Sequence, residues 1–101
     1  MKSALVGVLQ EERARNAEMK KILEDELKDL PKGSLVIQSK GGHKYCYLKY
    51  REGERIISKY IGKAEVCQKG LEMQVARRRR IEQALRRIRE EEKMIMRALR
   101  D

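Results

Sequence analysis

The stretch LPKGSLVIQSKGGHKYCYLKYREGERIISKYIGK, residues 30–63, determines the architecture of this chain, because it holds most of the turn-forming residues and all four tyrosines. Proline cannot continue a helix, so Pro31 stops a preceding helix near Leu30. Gly41-Gly42 predicts a two-residue hairpin turn. The register that follows pairs Lys40 with His43, Gln38 with Tyr45, Ile37 with Cys46, and Leu35 with Leu48.

The second turn of the stretch is compatible with more than one loop length. A two-residue turn at Glu52-Gly53 would put Glu52 at positive φ, which is disfavoured for a residue other than glycine. A three-residue loop, Arg51-Glu52-Gly53, places only Gly53 in the left-handed region, and we expect this loop. Tyr50 then faces Glu54.

Alternation of side chains along the strands assigns these residues to two sheet faces. The first face is expected to be buried and collects Leu35, Ile37, Cys46, Leu48, Tyr50, Ile56, Ser58 and Tyr60. The second face interleaves tyrosines with cations and collects Val36, Gln38, Tyr45, Tyr47, Lys49, Arg55, Ile57 and Lys59. Such a face can stack bases or bind a protein, and it equally suits a solvated sheet surface.

Helical arms flank the stretch at residues 1–30 and 64–101. The first arm has apolar residues at helical spacing, but residues 11–18 supply only two alanines and an asparagine among charges. The second arm predicts a coiled-coil-like seam at positions 64, 67, 71, 74, 78, 81, 85, 88, 92, 95 and 99. We therefore predict a single α+β domain over residues 1–101: helix, three-stranded antiparallel meander over residues 31–63, and long helix. The two helices are expected to pack as an antiparallel hairpin.

Composition limits the hydrophobic core. The 101 residues include no Phe or Trp and are 41% charged, so the core is thin and the long helices are expected to need a partner. Self-association is the prediction that follows. Two cysteines without a framework pattern suit a reducing cytoplasm, and no stretch approaches the roughly 20 apolar residues of a membrane span.

Positive charge is concentrated in the middle and last segments. The net charge is +9, to which residues 1–30 contribute −1, residues 31–63 contribute +6 and residues 64–101 contribute +4. Such a field attracts phosphate backbones or acidic protein surfaces and carries no sequence specificity.

Four consecutive arginines, residues 77–80, circle the second arm at about 100° per residue. Arg78 falls on the seam, whereas Arg77 and Arg80 share an outer side and join Arg87 as candidate phosphate-binding residues. The alternative is a solubilising helix surface on which Arg78 binds a carboxylate of the first arm. The complete set of candidate binding residues is Tyr45, Tyr47, Lys49, Arg55, Lys59, Arg77, Arg80 and Arg87.

No catalytic, metal or cofactor motif stands out. His43, Cys46 and Cys67 offer three zinc ligands, but a structural zinc site takes four and the usual paired spacing is missing. The cysteines are therefore interpreted as small core residues. The single histidine leaves little for general acid–base catalysis. We predict a protein that is not an enzyme and that uses no cofactor, metal or small-molecule substrate.

The run LPKGSL, then GHKYCYLKYREGERIISKYIG, then a long basic helix resembles a family of short uncharacterised bacterial and phage proteins. In that family a helix is followed by an LPxGSL turn, a tyrosine-rich hairpin ending in YxG, and a charged helix. The hairpin is also similar to segments near the N-termini of some transposases. The resemblance covers residues 30–63 well and the arms only by pattern. It implies a mobile-element setting, in which small proteins act on nucleic acid or its machinery, anti-CRISPR inhibitors among them.

Two functions are compatible with these observations. The first is a basic module that binds nucleic acid or a nucleoprotein enzyme through the tyrosine-bearing face and the arginine helix. The alternative is a protein-interaction or assembly factor in which the seam and the tyrosines are interfaces and the charge only maintains solubility.

Overall fold

The computed structural model describes the backbone of residues 2–66 and 69–100, and the side chains of residues 4–65 and 70–100. Helix α1 spans Lys2–Leu27, and three strands follow: β1 (Ser34–Lys40), β2 (His43–Glu52) and β3 (Arg55–Lys63). A short 3-10 helix at Ala64–Val66 precedes the long helix α2, Lys69–Arg100. The strands form one antiparallel sheet in the order β1-β2-β3. This is the predicted fold of helix, meander and long helix.

The first hairpin has the predicted register. Lys40 pairs with His43, and all pairs from there to Leu35 with Leu48 follow as expected. Gly41 and Gly42 have φ values of 57° and 81°. Both turn positions therefore need the left-handed region that glycine adopts without a steric penalty.

The second hairpin differs from the prediction. Glu52 pairs with Arg55, so the turn is the two-residue pair Gly53-Glu54 rather than a three-residue loop. Gly53 has φ 64°, and no residue other than glycine in the described chain has positive φ. A turn with glycine at its first central position needs positive φ only there, so Glu54 adopts it without strain.

The observed turn shifts the pairing of β3 with β2 by an odd number of residues from the predicted pairing. Each side chain from Arg55 to Tyr60 therefore lies on the face opposite to the one predicted. Tyr60 pairs with Tyr47, and Lys59 pairs with Leu48. The predicted placement of Ile56, Ser58 and Tyr60 on the buried face is therefore wrong, as is the placement of Arg55, Ile57 and Lys59 beside Tyr47. Exposure agrees with the observed register, because Ile56 is 69% exposed whereas Ile57 is half-buried.

The chain divides into two compact units. The sheet unit contains residues 30–79, and the helical unit contains residues up to 29 together with those from 80 onward. Among the described residues of the sheet unit, the buried ones are Cys46, Leu48 and Val75. Cys46 is fully buried, which confirms its prediction as a small core residue, but it is disulfide-bonded, so the expectation that the cysteines form no disulfide is wrong for Cys46. Cys67 lies outside the described residues.

Gly33 joins the helical arm to the sheet in the left-handed region, with φ 119°. A Cβ at this position would collide with the carbonyl oxygen of Lys49 and would approach the Cβ of Tyr50 at 2.9 Å. The connection ahead of β1 therefore lies against the backbone of β2, and only glycine fits there.

The helical unit contains the predicted seam from Ile81 onward. Ile81, Leu85, Ile88 and Ile95 are buried, and Glu92 and Leu99 are half-buried. In the sheet unit the prediction fails at one position of α2, because Val75 is buried and the predicted Gln74 is exposed. Val75 lies four residues after Leu71 and three before Arg78, so it shares their side of the helix as well as Gln74 does, and the apolar one of the two is buried.

Polar contacts align α1 with α2 in the helical unit. Asn16 is only 7% exposed, and its amide donates to Oε2 of Glu91 at 3.1 Å. One turn along α1, Nζ of Lys20 lies 3.0 Å from Oε2 of Glu92. At the other end, Leu9 lines a groove with Ala98. From Leu9 beside Ala98 to Asn16 beside Glu91, rising numbers in α1 meet falling numbers in α2, so the helices pack antiparallel as predicted.

Candidate nucleic-acid interface

Three tyrosines cluster on one face of the sheet. The ring centroids of Tyr47 and Tyr60 are 5.5 Å apart, and those of Tyr45 and Tyr60 are 6.2 Å apart. The rings are tilted at 59° and 58°, within the range of favourable aromatic pairs. Together with Lys40 they line a depression of about 400 Å³. We call these four residues the tyrosine face.

The local structure of β2 and β3 explains the cluster. The Gly53-Glu54 turn places Tyr60 directly opposite Tyr47. A bulge then shifts the register, so Tyr45 pairs with Lys63 and Cys46 with Gly62. Bulges reorient the side chains that follow them. This one brings Lys63 to the side of the sheet that carries Tyr45.

Cations accompany the rings on this side of the sheet. Nζ of Lys40 lies 5.7 Å from the ring centroid of Tyr47, within the range of a cation–π interaction. By register, Lys49, Arg51 and Lys63 point to the same side. Along the three described strands, no Asp or Glu occupies a position on this side. The face therefore carries a positive field with no internal anion to neutralise it.

The tyrosine rings are accessible to different degrees. Tyr60 is 54% exposed, while Tyr45 and Tyr47 are half-buried against their neighbours. His43 extends the aromatic row, with its ring centroid 6.4 Å from that of Tyr45. A row of partly exposed rings beside cations can stack unpaired bases and bind the phosphates between them.

The structure groups the sequence-predicted sheet residues differently from the prediction. Tyr45, Tyr47 and Lys49 share one side, as expected, but Arg55 and Lys59 lie on the opposite side with Leu48. Tyr60, predicted on the buried side, is instead the most exposed ring of the cluster. The signal that places it correctly is Gly53 at the first position of a two-residue turn.

The arginine run divides between structural and exposed roles. Arg78 donates to the carbonyl oxygen of Leu30 at 2.8 Å, and Arg79 donates to Oγ of Ser34. Both contacts stabilise the entry to the sheet. Arg77 is exposed in the sheet unit, and Arg80 and Arg87 are exposed in the helical unit. Arg87 lines a depression with Gln83 and Arg86.

Metal ligands do not cluster in the described ranges. Within those ranges, no group of three or more His, Cys, Asp or Glu side chains is arranged to hold a metal ion. The possible zinc ligand set includes Cys67, which falls outside them. No helix in the part of the chain that the structure describes is long and apolar enough to cross a bilayer.

Comparison with known proteins identifies one family. The family model described as a domain of unknown function, DUF6788, matches residues 9–74, about two thirds of the chain. The match runs from the second turn of α1 through the whole sheet into the first turns of α2. No curated protein matches the chain, and no solved structure does.

Proposed function

This chain belongs to the DUF6788 family, and we propose that it is a non-enzymatic module that binds single-stranded nucleic acid through the tyrosine face. The observation that carries the proposal is the cluster of Tyr45, Tyr47 and Tyr60 on a side of the sheet that has cations and, along the described strands, no carboxylate. Single-strand binders combine these two features, a stacking platform and a positive groove.

The charge distribution supports the same ligand. Residues 31–63 contribute +6 of the net +9. Cations at the edges of the ring cluster can follow a phosphate backbone while the bases stack. A protein partner would gain less from this arrangement, because protein interfaces are depleted of lysine at their centres.

The test is binding of a fluorescent single-stranded oligonucleotide, followed by anisotropy. Tyr45→Leu with Tyr60→Leu is expected to weaken binding strongly, because base–aromatic stacking contributes about 1–3 kcal/mol per base. The slope of log affinity against log salt should remain unchanged, since stacking releases no counterions. Equal affinity of variant and parent would overturn the proposal.

The fourth tyrosine provides the matched control. Tyr50 lies on the side of the sheet that carries Leu48 and faces Ile57. Tyr50→Leu removes a tyrosine from the same strand without touching the ring cluster, and it is expected to leave oligonucleotide affinity within about twofold, the range of a surface change under ±0.5 kcal/mol. Circular dichroism of both variants confirms that each is folded.

Charge variants separate the two components of binding. Lys40→Gln with Lys49→Gln should flatten the single-strand salt slope by about 0.7 for every phosphate that these lysines neutralise in the parent. The opposite-side pair Arg55→Gln with Lys59→Gln removes the same amount of charge and is expected to leave the slope nearly unchanged. A similar change in both pairs would mean that net charge alone attracts the oligonucleotide.

The biological setting is part of the proposal. We infer a bacterial or phage mobile element as the source, and a cytoplasmic action on nucleic acid or on a nucleoprotein enzyme, including inhibition of one. The ligand class supports this localisation, whereas the bonded sulfur of Cys46 argues for an oxidising compartment. Pull-down from a host lysate with and without nuclease tests the setting, because direct nucleic-acid binding requires that nuclease treatment releases the partners.

A second candidate function is assembly through self-association. Leu9, Met94, Ile95 and Ala98 line a groove of about 400 Å³ with Glu12 and Glu91. Leu5 and Val8 on the same helix are 63% and 58% exposed. The carboxylates of the groove already have partners, because Glu12 lies 2.6 Å from Arg15 and Glu91 accepts from Asn16, so the exposed apolar side chains are the contact that a second copy would cover. Light scattering at high micromolar concentration should then give a dimer, and Val8→Glu with Met94→Glu should give a monomer of 11.9 kDa.

A further inference from the structure

The last four turns of α2 carry a row of cations that neither the sequence analysis nor the tyrosine face includes. Arg89, Lys93, Arg97 and Arg100 line one depression of about 620 Å³ with Met96 and Glu92. All four cations are exposed. We call them the terminal basic stripe.

The spacing of the terminal basic stripe is unfavourable for an isolated helix. Arg89, Lys93 and Arg97 follow one another at i,i+4, and like charges at this spacing destabilise a helix. A helix surface that serves only solubility alternates its charges, so that each cation follows an acid by four residues. The repulsion in this row is relieved when an anionic ligand binds it.

Two acids lie beside the stripe among the described residues, and neither neutralises it fully. The Glu92 carboxylate is bound by Lys20, with Nζ at 3.2 Å from Oε1 and 3.0 Å from Oε2. Glu90 lies 3.5 Å from Lys93, but both side chains are about two-thirds exposed, and pairs of this kind contribute little. Glu92, which lines the same depression as the stripe, therefore has its negative charge compensated by Lys20 of α1.

The helix dipole explains only part of the arrangement. Arg97 and Arg100 lie in the last turn, where cations stabilise the negative end of a helix. That effect falls off within one turn, so it does not reach Arg89 or Lys93. The dipole therefore accounts for Arg97 and Arg100 and leaves Arg89 and Lys93 without an explanation.

We propose that the terminal basic stripe binds the phosphate backbone of duplex nucleic acid without reading its sequence. At 1.5 Å rise per residue, the row presents a cation about every 6 Å over roughly 16 Å of helix. A repeated line of charge matches a polyanionic backbone, and guanidinium groups bind phosphate in bidentate geometry. The stripe shares its ligand class with the proposed function but uses none of the same residues. An experiment can therefore disprove one of the two proposals without the other.

A lipid surface is a poorer match. Helices that lie on membranes place Trp, Phe or Leu along one face to enter the bilayer. The chain has no Trp or Phe, and the only large apolar side chain in the depression is Met96, which is 41% exposed. Anionic vesicles are therefore included in the test as the competing ligand.

The experiment measures affinity for a blunt duplex of about 20 base pairs over a salt series. The test variant is Arg89→Gln with Arg97→Gln. The control is Arg13→Gln with Lys21→Gln, which are exposed on α1 in the same unit, at the same eight-residue spacing and with the same change in charge. The test variant should flatten the salt slope by about 1.8, for two phosphates at 0.9 each, and the control should leave it nearly unchanged.

Thermal unfolding gives a second readout. Duplex should raise the midpoint of the parent protein, because a ligand that binds only the folded state stabilises it, and it should raise that of the test variant less. Equal salt slopes in the test and control variants, or binding to vesicles without binding to duplex, would overturn the proposal that the stripe binds duplex nucleic acid. Single-strand binding by the tyrosine variants tests only the proposed function. Its outcome neither supports nor contradicts the proposal for the stripe.

Discussion

Glycines in the turns set the pairing of the three strands, whereas side chains set the pairing of the two helices. In the sheet unit, Gly41, Gly42 and Gly53 adopt positive φ and thereby determine which residues face each other. In the helical unit, a buried apolar row and the contact between Asn16 and Glu91 align α1 with α2. The two units should therefore respond to different kinds of substitution.

This difference also separates the two proposed binding surfaces. The tyrosine face depends on strand register, because a shift of one residue moves every side chain to the other side of the sheet. The cations of the terminal basic stripe are aligned by helical periodicity, and the pairing of α1 with α2 affects the stripe through Lys20, which binds the Glu92 carboxylate beside it. Substitutions in a turn should consequently affect stacking, and substitutions in the helix pair should affect stability first.

The largest expected effect comes from truncation within the buried apolar row. Ile81 is the largest fully buried side chain among the described residues, at 1% exposed. Ile81→Ala should lower the free energy of unfolding by about 2–5 kcal/mol, because it removes buried methyl groups and leaves a cavity. Urea denaturation measures the change. Ile22→Ala, at a position 56% exposed in α1, is the control and should stay within about 0.5 kcal/mol.

A backbone substitution tests the sheet unit in the same way. Gly33→Ala should destabilise the protein by at least about 1–3 kcal/mol, because alanine is strained at this φ and its Cβ meets the backbone of β2. Gly7→Ala should have the opposite sign and stabilise α1 by about 0.5–1 kcal/mol, since Gly7 lies in a helix with open space around it. Destabilisation by both changes would contradict the special role of Gly33.

The same contrast explains how much of the fold the sequence predicts. The Gly-Gly pair permits one tight turn, so the register of the first hairpin follows from it. The second turn lies in Arg-Glu-Gly-Glu-Arg, where the charged neighbours give no indication of which side is buried. Because Ile56 and Ile57 are adjacent and both apolar, each face of β3 has an isoleucine to bury. Alternation along β3 is therefore compatible with the wrong register as well as with the observed one.

The candidate site is less accessible to sequence reasoning than the fold. Tyr45 and Tyr47 can be grouped from sequence because they alternate on one strand, but Tyr60 joins them only through the register of the second turn. The terminal basic stripe is visible in sequence as charges on a helix. Its meaning depends on the pairing of Glu92 with Lys20, a contact between residues 72 positions apart that no local pattern reveals.

A smaller effect is expected where the two helices are aligned by a polar contact. Asn16→Ala removes the hydrogen bond to the Glu91 carboxylate and should cost about 1.5 kcal/mol, the lower end for a bond to a charged group. Thermal unfolding measures it. Gln10→Ala, an exposed amide position on the same helix, should change stability by less than about 0.5 kcal/mol. If both substitutions had equal effects, the helix pairing would rest on the apolar row alone.

The smallest effect separates a partly buried ion pair from an exposed one. Lys20 and Glu92 have side chains 32% and 26% exposed, whereas Lys28 and Asp25 are 76% and 62% exposed at 3.4 Å. A double-mutant cycle for Lys20→Met and Glu92→Gln should give a coupling of about 0.5–1 kcal/mol, and the cycle for Lys28→Met and Asp25→Asn should give about 0.3 kcal/mol or less. Raising the salt concentration should reduce the coupling energy of the exposed pair further, because solvent ions screen it more effectively.

Equal couplings would mean that Lys20 does not hold Glu92 at the edge of the terminal basic stripe, and the single variant Lys20→Met should then leave duplex affinity unchanged. If the pair does hold, freeing the Glu92 carboxylate places an uncompensated anion beside Arg89 and Lys93, and duplex affinity should fall although no cation of the stripe has been altered.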